Sequence, residues 1–118
     1  MTVESFYNVV GGNYQKILQN LRQDDKVVRF AKMFLEDPSY QELSMAMDVA
    51  DYQAAFAAAH KLKGICQNMY FERMLRIVHE ITESLRNETD IATAEALMPQ
   101  LEDIYELTVE GIRELDEA

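Results

Sequence analysis

His60, Lys63 and Gly64 stand close together in the stretch "AAAHKLKGICQN", residues 57–68. The alanines, leucine and glutamine around them favour helix. At about 100° per residue, Lys63, Gly64 and Gln67 fall within about 60° of His60. Ala55, Ala59, Leu62, Cys66 and Met69 gather on the other side, between about 180° and 260°. His60 therefore points away from the apolar stripe that should face a core. A neutral imidazole is a good nucleophile near neutral pH. An ammonium one turn on supplies positive charge where negative charge develops. Gly64 is the odd member, because glycine within a helix costs roughly 1 kcal/mol against alanine. Close approach of another surface would justify it, since a Cβ at residue 64 is expected beside the imidazole. A tolerated glycine on a solvated face is the alternative.

The elements that must hold these residues follow from composition. At 118 residues the chain has the length of one domain, 1–118, with room for a single core. It is 48% apolar and 27% charged, which is globular rather than disordered. Four glycines and two prolines leave few breaks, and strong helix formers dominate. The expected class is all-α.

Val3 to Val10 reads as a short helix ended by Gly11-Gly12, with Asn13 capping a second short one. Asp24-Asp25 is the expected cap of a helix running to Asp37. Pro38 is expected at the first position of the next helix, which runs to about Val49. Asp51 should cap a long helix over 52–69, and another spans roughly 71–86. After the polar break "NETD" at 87–90, Pro99 predicts a kink in the last helix or a start close to it. The last four helices suggest an antiparallel four-helix bundle, with the short N-terminal helices covering one end.

The net charge of −10 argues against nucleic acid and against an anionic membrane surface. A single cysteine, Cys66, excludes an internal disulfide and suits a reducing compartment. No apolar run approaches a membrane span, and the cytoplasm is the expected location. No metal site is expected, since His60 and His79 lack a convincing set of further ligands. Nor is there a phosphate-cradling glycine loop, so ATP binding is not expected.

The segment "AAHKLKG" resembles the signature of histidine-containing phosphotransfer (HPt) domains, an Ala-His-x-Leu-Lys-Gly core around a phosphorylated histidine. The likeness extends to "GGN" at 11–13, to "VADYQAAFAAAHKLKG" at 49–64 and to Asn68. It implies a phosphocarrier rather than an enzyme, passing a phosphoryl group between aspartates of response-regulator receiver domains. His60 would be the phosphoacceptor, Lys63 would neutralise the phosphate, and Gly64 would leave room for the receiver. The domain would bind no cofactor itself, with Mg²⁺ supplied by the receiver. A hybrid histidine kinase is a further candidate partner. Two positions depart from the family pattern: Ile65-Cys66 replace small residues, and Tyr70 stands where a second glycine is common. Tyr70 there disfavours a glycine-type turn at the end of the central helix.

Four more residues are candidate site neighbours. The family often places a polar residue at the position of Thr82 to orient the imidazole, and His79 lies one turn earlier. Their plain reading is a boundary threonine and a surface histidine. Gln67 could bond a phosphate or a receiver loop, and Phe56 could anchor a receiver or pack partly into the core. A different class of function also fits, a helical module that binds receivers or another helical partner without carrying phosphate. The intact His60, Lys63 and Gly64 favour the carrier.

Overall fold

The computed structural model describes residues 1–116, so the last two positions of the domain expected over 1–118 lie outside the described residues. Seven α-helices follow in order: α1 (Val3–Val10), α2 (Tyr14–Leu21), α3 (Asp24–Phe34), α4 (Ser39–Asp48), α5 (Tyr52–Met69), α6 (Glu72–Leu85) and α7 (Ile91–Arg113). A short 3₁₀ turn, Arg86–Glu88, joins the last two. Four starts are fixed by side chains that accept a first-turn N–H. Thr2, Asn13, Asp51 and Asp90 each take one, at 3.1 Å, from Ser5, Lys16, Ala54 and Thr93.

Four boundaries differ from expectation. Asp24 and Asp25 lie inside the first turn of α3 rather than before it, and Gln23 holds the cap position. Their charge still suits a helix start, and Asp24 accepts the Tyr14 hydroxyl at 2.8 Å. The same helix stops at Phe34, where the amides of Leu35, Glu36 and Asp37 each turn to a carbonyl three residues back. Pro38 is the residue before α4, not its first, and the Asp37 carboxylate takes the Ser39 N–H at 2.9 Å. In α7 the Asp90 cap sets the start at Ile91, and the helix continues through the exposed Pro99.

Helices α4, α5, α6 and α7 form the bundle, each packed on the next. Leu62, Met74, Val78, Ile81, Leu85, Leu101 and Ile104 fill its interior. The short helices cover one end, as the pattern predicts. There α1 and α3 pack on α7, and Phe6, Tyr7, Phe34, Phe71 and Tyr105 make a chain of ring contacts with centroids 5.4–6.0 Å apart. These spacings suit edge-to-face and tilted aromatic pairs.

Tyr70 ends α5 cleanly at Met69 by adopting a left-handed conformation (φ 56°) that glycine would take without strain. Contacts from α1 and α2 hold it there. Its carbonyl accepts the Asn13 N–H at 2.9 Å, its hydroxyl accepts from Asn20 at 3.2 Å, and the neighbouring Met69 carbonyl accepts the Tyr7 hydroxyl at 2.8 Å. Gly11 and Gly12 make that docking possible. A Cβ on Gly11 would stand 2.8 Å from the Arg73 Cβ, and one on Gly12 would stand 2.6 Å from the Tyr7 ring. The "GGN" segment is thus the clasp that fastens the N-terminal helices to the end of α5.

Candidate functional site

Helix α5 presents the cluster read from the sequence. Ala55, Ala58, Ala59, Leu62, Cys66 and Met69 are its buried side. His60 and Gln67 are exposed, while Phe56, Lys63 and Gly64 are half-buried. Burial pushes the Cys66 thiol up to about 12, with the Asp37 charge adding to the effect, so this sulfur is a core group and not a nucleophile. Lys61 is tied to Glu42 by an exposed ion pair of 3.0 Å. Lys63, one turn from His60, has no ion-pair partner among the described residues.

Gly64 departs from expectation in one respect. A Cβ built on it would meet nothing within 4 Å, so it would not stand beside the imidazole. No internal packing demands this glycine. The Gly64→Ala protein should therefore be more stable by up to about 1 kcal/mol in chemical denaturation. A loss of stability would mean that the helix needs glycine for a reason of its own.

The end of α6 and the 3₁₀ turn after it return over the same face and add two residues that the sequence reading did not place here. The Arg86 guanidinium carbon lies 5.0 Å from the centre of the Phe56 ring, a cation–π arrangement. The Phe56 ring centre is in turn 6.1 Å from that of His60, with the planes inclined at 42°. Arg86 Nε donates to Glu83 Oε2 at 2.9 Å. That bond, followed by the charges of Arg86, Lys63 and His79, holds the Glu83 carboxyl below its usual range. Only the three-residue spacing of Glu83 and Arg86 hinted at their pair. The packing over Phe56 joins two helices and has no local signal. An open depression bounded by Asp51, Tyr52, Phe56, Leu85 and Arg86 lies beside this ring.

Thr82 and His79 are less close to the expected roles. Thr82 is fully buried, and its hydroxyl donates to the Val78 carbonyl one turn back at 2.7 Å. This back-bonding is the usual fate of a threonine inside a helix with no external partner. His79 is exposed. Among the described residues, no hydrogen bond joins either side chain to His60. No group of three or more His, Cys, Asp or Glu among the described residues is placed to hold a metal ion.

The Hpt domain family model matches residues 29–111, a span that runs from α3 to Gly111 in α7 and contains His60, Lys63, Gly64, Glu83 and Arg86. The chain belongs to the Hpt domain family. No curated protein and no solved structure matches it. As an Hpt domain it is a phosphotransfer module of the kind used in two-component signalling, and its helical bundle is the architecture such domains have. No helix among the described residues is long and apolar enough to cross a membrane.

Proposed function

We propose that His60 accepts a phosphoryl group from the phosphoaspartate of one receiver domain and delivers it to the aspartate of another. The unprotonated ring nitrogen of His60 attacks phosphorus while the other nitrogen keeps its proton. A P–N bond forms as the P–O bond to aspartate breaks, and the aspartate leaves as a carboxylate. Attack by a second receiver's carboxylate reverses these events and restores neutral His60. Mg²⁺ bound by the receiver supplies charge neutralisation at the phosphoryl oxygens. Lys63 supplies a further positive charge from this chain, and Arg86 carries a second cation on the same face. Gly64 lets the receiver come close to the helix, and Gln67 and Phe56 offer it an amide and an aromatic contact. A hybrid histidine kinase bearing such a receiver is a candidate donor, with the cytoplasm as the shared compartment.

The observation behind this reading is the exposed His60, with Lys63 and an uncrowded Gly64 on one helix face, inside the span that matches the Hpt domain. Incubation with a panel of phosphorylated receivers should add one phosphoryl group to the chain, read as intact mass. The adduct should be labile in acid and stable in alkali, as phosphohistidine is. No adduct from any receiver would favour the module that binds receivers without carrying phosphate.

Lys63→Ala should slow the transfer by roughly tenfold without abolishing it. That is less than the loss of a lone oxyanion donor, because the receiver's own ion shares the work. Rapid-quench measurement of labelling decides it, and a wild-type rate would remove Lys63 from the mechanism.

A further inference from the structure

We infer that Glu83 is a built-in counter-ion that competes with the phosphoryl group on His60 for Arg86 and Lys63, and so favours donation over retention. The inference rests on the proposed role of His60. Its geometry is a continuous path across two helices. Glu83 Oε2 accepts from Arg86 Nε at 2.9 Å, Arg86 lies 5.0 Å over the Phe56 ring, and that ring neighbours His60 at 6.1 Å. Both members of the ion pair are about half-exposed, so the pair can exchange partners without a buried charge being stranded.

The lowered Glu83 carboxyl owes its state to Arg86 first and to Lys63 and His79 after it. Glu83 therefore has the Arg86 guanidinium, from the 3₁₀ turn after its own helix, in direct contact, with the Lys63 charge from α5 acting on it as well. A phosphoryl group on His60 brings close to two negative charges into this neighbourhood. It must share Arg86 and Lys63 with a carboxylate already there, and it is repelled by that carboxylate. In the exchange the P–O bond to the receiver's aspartate breaks as the P–N bond to His60 forms, and Glu83 raises the free energy of the P–N side alone. His60 thereby becomes a stronger donor. Glu83 touches neither the reacting nitrogen nor the phosphoryl group, so it is a positioning residue acting through the two cations.

The test measures the fraction of chain phosphorylated at equilibrium with one receiver, by intact mass, for wild type and Glu83→Gln. The amide keeps the shape and loses the charge. The phosphorylated-to-free ratio should rise about threefold to tenfold at low salt. The excess should shrink as salt is raised, because exposed charges are screened. Glu83→Asp should return toward wild type. Glu110→Gln removes a charge from the exposed side of α7 and should leave the ratio unchanged. A wild-type ratio in Glu83→Gln, a lower one, or a rise that salt does not reduce would overturn the inference while leaving the carrier role intact. A wild-type protein that is never labelled would remove both together.

Discussion

The His60→Gln protein should take no phosphoryl group from any receiver, while His79→Gln takes it as the wild type does. The reason is positional. His60 is exposed on α5 with Lys63 one turn away, and its ring is not part of the core formed by Ala55, Ala59, Leu62 and Cys66. Glutamine has good helix propensity, so circular dichroism and thermal unfolding should change little. Receiver binding should also survive, since Phe56, Gly64 and Gln67 are untouched. His79 is equally exposed but belongs to the Glu83 side of α6, with no hydrogen bond to His60. Intact-mass labelling of the two variants beside wild type separates the cases. Labelling that persists in His60→Gln and vanishes in His79→Gln would move the phosphoacceptor to α6.

Much of this site was legible because its determinants are local. The Asp51 cap, the run of helix formers and the 3.6-residue period define α5 over 52–69 and put His60 opposite the buried stripe. The "GGN" turn was legible for the same reason, since a left-handed Gly11 and an Asn13 cap are signalled by neighbours in sequence. What escaped depends on contacts between helices. Tyr70 takes a conformation its side chain disfavours because Asn13 and Asn20 bind it from α2 and the turn before it. Thr82 lies on the border between the apolar and polar sides of α6, and only packing decides that it is buried and bonded to Val78. Arg86 lies over Phe56 because the 3₁₀ turn after α6 returns toward the start of α5. The open space at Gly64 is likewise a property of the assembled surface, because a helical period gives direction but no distance to neighbours.

Phe71→Ala should be the most destabilising of these substitutions, at about 3–5 kcal/mol. Phe71 is 1% exposed and joins three elements at the covered end of the bundle. Its ring centre lies 6.0 Å from Phe6, 5.6 Å from Tyr7 and 5.6 Å from Phe34. Truncation removes the hub against which α1 and α3 pack, and neighbouring rings are poorly suited to fill the space. A domain of this size has roughly 5–15 kcal/mol in all, so urea unfolding should show a much lower midpoint. Phe30, 46% exposed on α3, is the comparison, and Phe30→Ala should cost under about 1 kcal/mol. Met69, the last residue of α5, follows His60 by roughly 14 Å of helix at about 1.5 Å per residue, and Phe71 lies beyond the turn that follows. Under conditions where the Phe71→Ala protein is still folded, His60 should therefore be labelled at close to the wild-type rate. Equal stability losses in the two phenylalanine variants would show that the aromatic cluster does not hold the N-terminal helices. Normal folding with lost labelling would show instead that the covered end of the bundle shapes the His60 face, and that α1 and α3 belong to the site.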